Sequence, residues 1–231
     1  MRRIFEKHEA LFCMILIASY IIINSYCLDQ FGIYDYRSTI INTLFSIILI
    51  LLIKALKRTT YYGLAKVTNY KRYLYFFPLV LIISVNLWDG ININNSMNEI
   101  IFYILTMINV GFIEEIIFRG FLFKMMAKDN VKSAIAVSSI TFGIGHVINL
   151  LNGAALGPTL LQICYAISIG YLFVIIFYKS KSLIPCIITH SLVNSFSIFN
   201  VSNSKLMYIS SIFLIIVPLI YATYINKYVK D

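Results

Sequence analysis

Eight stretches of this 231-residue chain stay apolar for about the length of a bilayer-crossing helix. They cover about residues 10–28, 39–56, 73–88, 99–123, 133–151, 159–178, 183–201 and 206–225. The hydrocarbon core of a bilayer is about 30 Å thick, so a helix needs about 20 residues to cross it. A barrel strand would instead alternate apolar and polar residues over about 10 positions. These runs do not alternate. The expected fold is therefore all-α: a polytopic membrane bundle of about eight transmembrane helices, forming a single integral membrane domain over residues 1–231. Composition agrees, because 60% of the residues are hydrophobic and 13% charged, against about 45–50% and 25% in soluble domains. The third run, 73–88, is the shortest; it follows Lys71 and Arg72 and ends at Trp88, a residue type that anchors spans at the interface.

The net charge of +9 does not point to nucleic acid, because Lys and Arg fall between the apolar runs. Arg2, Arg3 and Lys7 precede the first run. Lys54, Lys57, Arg58, Lys66, Lys71 and Arg72 separate the second from the third. Lys124, Lys128 and Lys132 follow the fourth, Lys179 and Lys181 the sixth, and Lys227 and Lys230 the last. The alternate connections hold Arg37 and Lys205. Cytoplasmic loops carry the excess of Lys and Arg, which predicts cytoplasmic N- and C-termini. The basic, tyrosine-rich connection 57–72 is expected to lie on the inner membrane surface. The first run lacks a small-x-small cleavage site and reads as an uncleaved span. Abundant Ile, Asn, Tyr and Lys suit an AT-rich bacterial genome, so the expected location is a bacterial plasma membrane, with lipid as a partner. The four cysteines (Cys13, Cys27, Cys164, Cys186) show no CxxC or zinc-finger spacing and read as small apolar side chains. Pro158 and Pro185 fall near span starts, whereas Pro78 and Pro218 lie inside runs and should bend them.

An ionisable side chain at the centre of a membrane helix costs about 2.5–3.5 kcal/mol on insertion scales, so each one marks a candidate site. Five stand out: Glu114, Glu115 and Arg119 in the fourth run, His146 in the fifth and His190 in the seventh, with Asn194 one turn beyond His190. At 1.5 Å per residue, Glu114 lies about 15 Å from the inner end of its span, His146 about 20 Å, His190 about 10 Å and Asn194 about 16 Å. Three helices thus bring polar groups to one layer. Glu115 and Arg119 are four apart with the carboxylate N-terminal, the favoured orientation for an intrahelical ion pair. Glu114 is turned about 100° away. Desolvated and less directly neutralised, it suits proton transfer near neutral pH. His190 and Asn194 share a face, as do Phe142 and His146. Gly143 and Gly145 should let another backbone approach closely. Asn24, Asn42, Asn86, Asn109, Asn149, Gln162 and Asn200 read as packing, interfacial or loop residues, and His8 as a surface residue.

Glu114-Glu115-Ile116-Ile117-Phe118-Arg119 fits EExxxR, Phe142-Gly143-Ile144-Gly145-His146 fits FxxxH, and His190-Ser191-Leu192-Val193-Asn194 fits HxxxN. In this order on three helices, the motifs resemble the CPBP family of CAAX proteases and bacteriocin-processing enzymes, also called Abi, which includes the type II CAAX prenyl endopeptidase. The motif-bearing core covers about 99–201. The resemblance implies an intramembrane endopeptidase in which Glu114 and His146 hold and activate water, His190 and Asn194 form an oxyanion hole, and Glu115, Arg119 and Phe142 support the site. The family is often labelled metalloprotease. Glu114, His146 and His190 could supply the three ligands of a divalent metal such as zinc, yet HExxH is absent, and a glutamate-activated water without metal also fits. The expected substrate is a membrane-associated peptide or membrane protein, such as a pheromone or bacteriocin precursor. Water must reach the site, which predicts a polar cavity open to the cytoplasm. The alternative is a non-proteolytic interaction protein on the same fold, a bacteriocin self-immunity factor or scaffold. A proton-coupled transporter is a third reading, without the paired broken helices expected of one.

Overall fold

The computed structural model describes residues 2–201 and 204–230. The side chains of Arg2, Arg3 and Lys205, three of the flanking charges, lie outside the described residues. A short helix α1 (Arg2–Lys7) leads into α2 (Glu9–Gln30), α3 (Tyr36–Ala55), α4 (Phe77–Ser84), α5 (Met97–Met126), α6 (Val131–Leu151), α7 (Leu156–Ser180), α8 (Ile184–Phe199) and α9 (Ser204–Tyr228). Among the described residues no strand forms.

Six of these helices are long and apolar enough to cross a membrane, and α8 is a shorter apolar helix. The region of the third run is shorter still. Leu74, Tyr75 and Phe76 adopt left-handed backbone angles (φ 51°, 52° and 58°), which stop a right-handed helix, so α4 begins only at Phe77. Pro78 therefore sits in the first turn of α4, where no N–H is needed, and not inside a span as expected. Pro218 does lie inside α9.

Local signals set the helix starts. Ser96 and Glu99 form a reciprocal capping box that opens α5. Asn130 accepts the Ser133 N–H at the start of α6, and Asp35 accepts the Arg37 N–H at the start of α3. In the bundle α5 lies against α3 and α8, α7 lies between α6 and α9, and α4 packs on α8. Ile22, Ile48, Leu51, Ile140, Leu160, Ile212 and Ile220 point outward and stay exposed. So much aliphatic surface over several helices suits lipid, not water.

The two ends of the bundle differ in charge. At one end Arg58 pairs with Glu6, Lys128 pairs with Glu9, and Lys124 lies over the rings of Tyr61 and Phe177. The connection 57–72 joins this end, largely exposed but anchored to the bundle around Tyr62 and Gly63. The Leu183 N–H donates to the Gly63 carbonyl at 2.8 Å and the Ser182 hydroxyl to the Ala65 carbonyl at 2.5 Å. Tyr62 is fully buried, its ring 4.6 Å from that of Phe121. Burial of that aromatic ring pins the loop to the bundle at this point. At the other end Asp35 pairs with Arg37, which holds the Asp35 carboxyl down to about 2. There the Asn92 N–H donates to the Phe199 carbonyl at 2.9 Å.

Candidate active site

α5 carries three of the candidate groups on a helix that changes its winding between them. Regular α-helix runs through Glu115, and a wider π-helical segment follows over Ile116–Phe123, all eight of whose residues are buried. Such segments recur at functional sites. Glu115 and Arg119 are both fully buried and joined at 2.9 Å between Oε1 and Nη1. The Arg119 guanidinium lies 4.0 Å from the centre of the Phe142 ring. Among the described residues its Nε and Nη2, and Glu115 Oε2, have no hydrogen-bond partner.

His190 on α8 stands between the two glutamates. Its Nδ1–H donates to Glu115 Oε1 at 2.9 Å, and its Nε2 faces Glu114 Oε2 at 3.4 Å. Glu114 is only partly buried, and its Oε1 accepts the Tyr20 hydroxyl from α2 at 2.5 Å. His146 sits where α6 tightens into a 3-10 turn, Gly145–Val147. Its Nδ1–H donates to the Phe142 carbonyl at 3.2 Å, which leaves Nε2 as the free ring nitrogen. The Phe142 ring stands steeply to both histidine rings (interplanar angles 73° and 89°), with centroids 5.5 Å from His146 and 5.6 Å from His190.

Glu114, Phe142, His146, His190 and Asn194 line a single cavity of about 310 Å³. Glu115 and Arg119 lie behind it. The seven candidates thus come together, though not in every pairing expected. Among the described residues no hydrogen bond joins Glu114 to His146, and the Asn194 side chain makes none.

Close helix approach sets these distances. A Cβ on Gly111 would lie 2.8 Å from the Ser191 backbone nitrogen, next to His190. A Cβ on Gly143 would lie 3.0 Å from the Ile163 carbonyl. Gly145 has no such neighbour, so of the two glycines expected to allow close packing only Gly143 does so. Gly111→Val is expected to push α5 from α8 and destabilise the protein by about 1–3 kcal/mol. A lowered unfolding temperature of the purified variant checks this.

Two features were missed from sequence. Tyr20 is one of 17 tyrosines, and nothing around it in the chain marks it. Asn24, Asn42, Asn149 and Gln162, read as packing or loop residues, line the cavity, with Asn149 donating to Gln162 at 2.9 Å. The cavity lies away from the basic end of the bundle. Its wall reaches Gly32 and Ile33, between α2 and α3, and Asn149 and Gln162, beside the α6–α7 connection. Toward the basic end Arg119, Phe121, Phe123, Tyr62 and Phe177 are almost wholly buried and fill the bundle.

Fold and site together define a multi-pass helical membrane protein with acid–base groups around an internal cavity. Residues 96–196 match the family model described as type II CAAX prenyl endopeptidase Rce1-like, which relates the chain to the CPBP family of CAAX proteases. That family is one of proteases. The matched segment holds all seven candidates, and Tyr20 lies outside it. No curated protein and no solved structure gave a match.

Proposed function

We propose that this chain is an intramembrane endopeptidase that hydrolyses a peptide bond in a membrane-associated peptide or protein. The observation that carries the proposal is the convergence of Glu114, His146, His190 and Asn194, from three helices, on one cavity of about 310 Å³.

In this reading Glu114 takes a proton from a water molecule as its oxygen attacks the scissile carbonyl carbon. Tyr20 fixes one carboxylate oxygen and leaves Oε2 to act. His146, with Nε2 free, accepts from the same water and orients it. In the form that carries both ring protons, His190 donates Nδ1–H to Glu115 and presents Nε2–H to the cavity. That N–H and the Asn194 amide then stabilise the developing oxyanion. The charges of Glu114, Glu115, Arg119 and His190 cancel in this form, as buried charges require. When the tetrahedral intermediate collapses, the C–N bond breaks and the proton held by Glu114 passes to the leaving amine. Asn194→Ala should lower kcat by about 10²–10³ with little change in KM, as loss of one oxyanion donor does.

Catalytic zinc requires three protein ligands that converge on one point at about 2.0–2.3 Å. Among the described residues no three His, Cys, Asp or Glu side chains are grouped to hold a metal ion. No step above uses a metal. We expect activity to survive a strong chelator, and elemental analysis to find less than one metal per chain. Chelator-sensitive activity restored by a single divalent ion would overturn this.

The function itself is tested by cataloguing peptide N-termini in membranes and medium of cells carrying wild-type protein or His146→Ala at equal abundance. At least one N-terminus should depend on the wild-type protein. Identical catalogues would remove the peptidase reading and favour a binding protein.

A further inference from the structure

The cavity has a direction and a chemistry that bear on substrate. Beyond the catalytic groups it is lined by the amides and hydroxyls of Asn24, Ser25, Asn42, Asn149 and Gln162 and by apolar side chains such as Ile21, Leu28, Ile33, Met107 and Val110, with no charged side chain among them. Such a wall hydrogen-bonds peptide N–H and C=O groups and seats apolar side chains but offers no counter-charge to a charged substrate side chain. The polar part of the wall reaches the bundle end that holds Asp35 and Arg37. The opposite end, with Arg58, Lys124 and Lys128, is closed by the buried rings of Tyr62, Phe121, Phe123 and Phe177. An excess of Lys and Arg marks the cytoplasmic face.

We infer that substrate reaches Glu114 from the extracytoplasmic side, as an uncharged stretch of polypeptide that has already crossed the membrane. The nature of the substrate rests on the peptidase reading; the route does not. Translocation must therefore precede cleavage, and a segment confined to the cytoplasm is not a substrate.

The route is tested by cysteine accessibility in the full chain with Cys27→Ala and Cys164→Ala, keeping the buried Cys13 and Cys186. A membrane-impermeant maleimide should label Ile33→Cys in intact cells and Lys66→Cys only after permeabilisation. The reverse pattern overturns the proposal. Where these variants fail to accumulate, a C-terminal reporter that fluoresces only in the cytoplasm is fused to the wild-type chain; it should be bright, and a dark fusion overturns the orientation. Labelling needs no turnover, so a chain labelled as expected that cuts nothing fails only as a peptidase. For substrate, right-side-out vesicles are given a random peptide library. Bonds cut by wild-type protein and not by Glu114→Gln should be flanked by uncharged residues. Enrichment of Lys, Arg, Asp or Glu at those positions, or cutting only in inverted vesicles, overturns the proposal.

Discussion

Glu114→Gln is expected to remove about 10²–10⁴ of the hydrolytic rate, the usual contribution of a positioned general base, while leaving the fold intact. The substitution keeps the shape of the side chain and one oxygen for the Tyr20 hydroxyl, which now approaches Oε1 at 2.5 Å. It removes the ability to take a proton. Glu114 is only partly buried and borders the cavity, so an amide of the same shape is accommodated there. Turnover by purified protein in liposomes, with the unfolding temperature alongside, separates the two effects. A variant that unfolds like the wild type and still turns over at more than a tenth of its rate would show that another group activates the water.

Arg119→Leu should act in the opposite way, through stability. Arg119 and Glu115 are both fully buried and 2.9 Å apart. Removing the cation strands the Glu115 carboxylate in a low-dielectric core, which typically costs about 3–5 kcal/mol. The loss also takes away the cation–π contact with Phe142 at 4.0 Å. Replacing both partners, as Glu115→Leu with Arg119→Leu, leaves no orphaned charge and should recover much of that stability. Activity should not return, because His190 loses the carboxylate that holds its Nδ1–H at 2.9 Å. Unfolding midpoints of the two single variants and the double variant check the stability claim. A double variant less stable than either single one would mean that the pair stabilises the bundle by mutual attraction and not by mutual neutralisation.

What could be read from sequence follows from what lipid demands. Backbone groups in hydrocarbon must be paired within a helix, so long apolar runs translate directly into helices. The ends of α2, α5 and α7 fall within a few residues of the runs that predicted them. Polar residues are costly in that medium, so Glu114, His146 and His190 were conspicuous, and spacing of four placed their neighbours on shared faces. The remaining features depend on tertiary packing. The π-helical winding after Glu115 leaves no local pattern. Tyr20 meets Glu114 across 94 residues of sequence. The left-handed run at Leu74–Phe76 contains no glycine or asparagine to announce it. The direction of the cavity is decided by which end the aromatic rings fill, and the burial of Tyr62 under a basic loop reads in sequence as an interfacial tyrosine.

Cleavage of one identified peptide by the purified protein in liposomes, compared among wild type, Glu114→Gln, His146→Ala and His190→Ala at matched folded amounts, bears most directly on the central claim. If these side chains form one hydrolytic centre, product appears with the wild type and falls by at least tenfold with each variant. Equal product from all three variants would contradict the account.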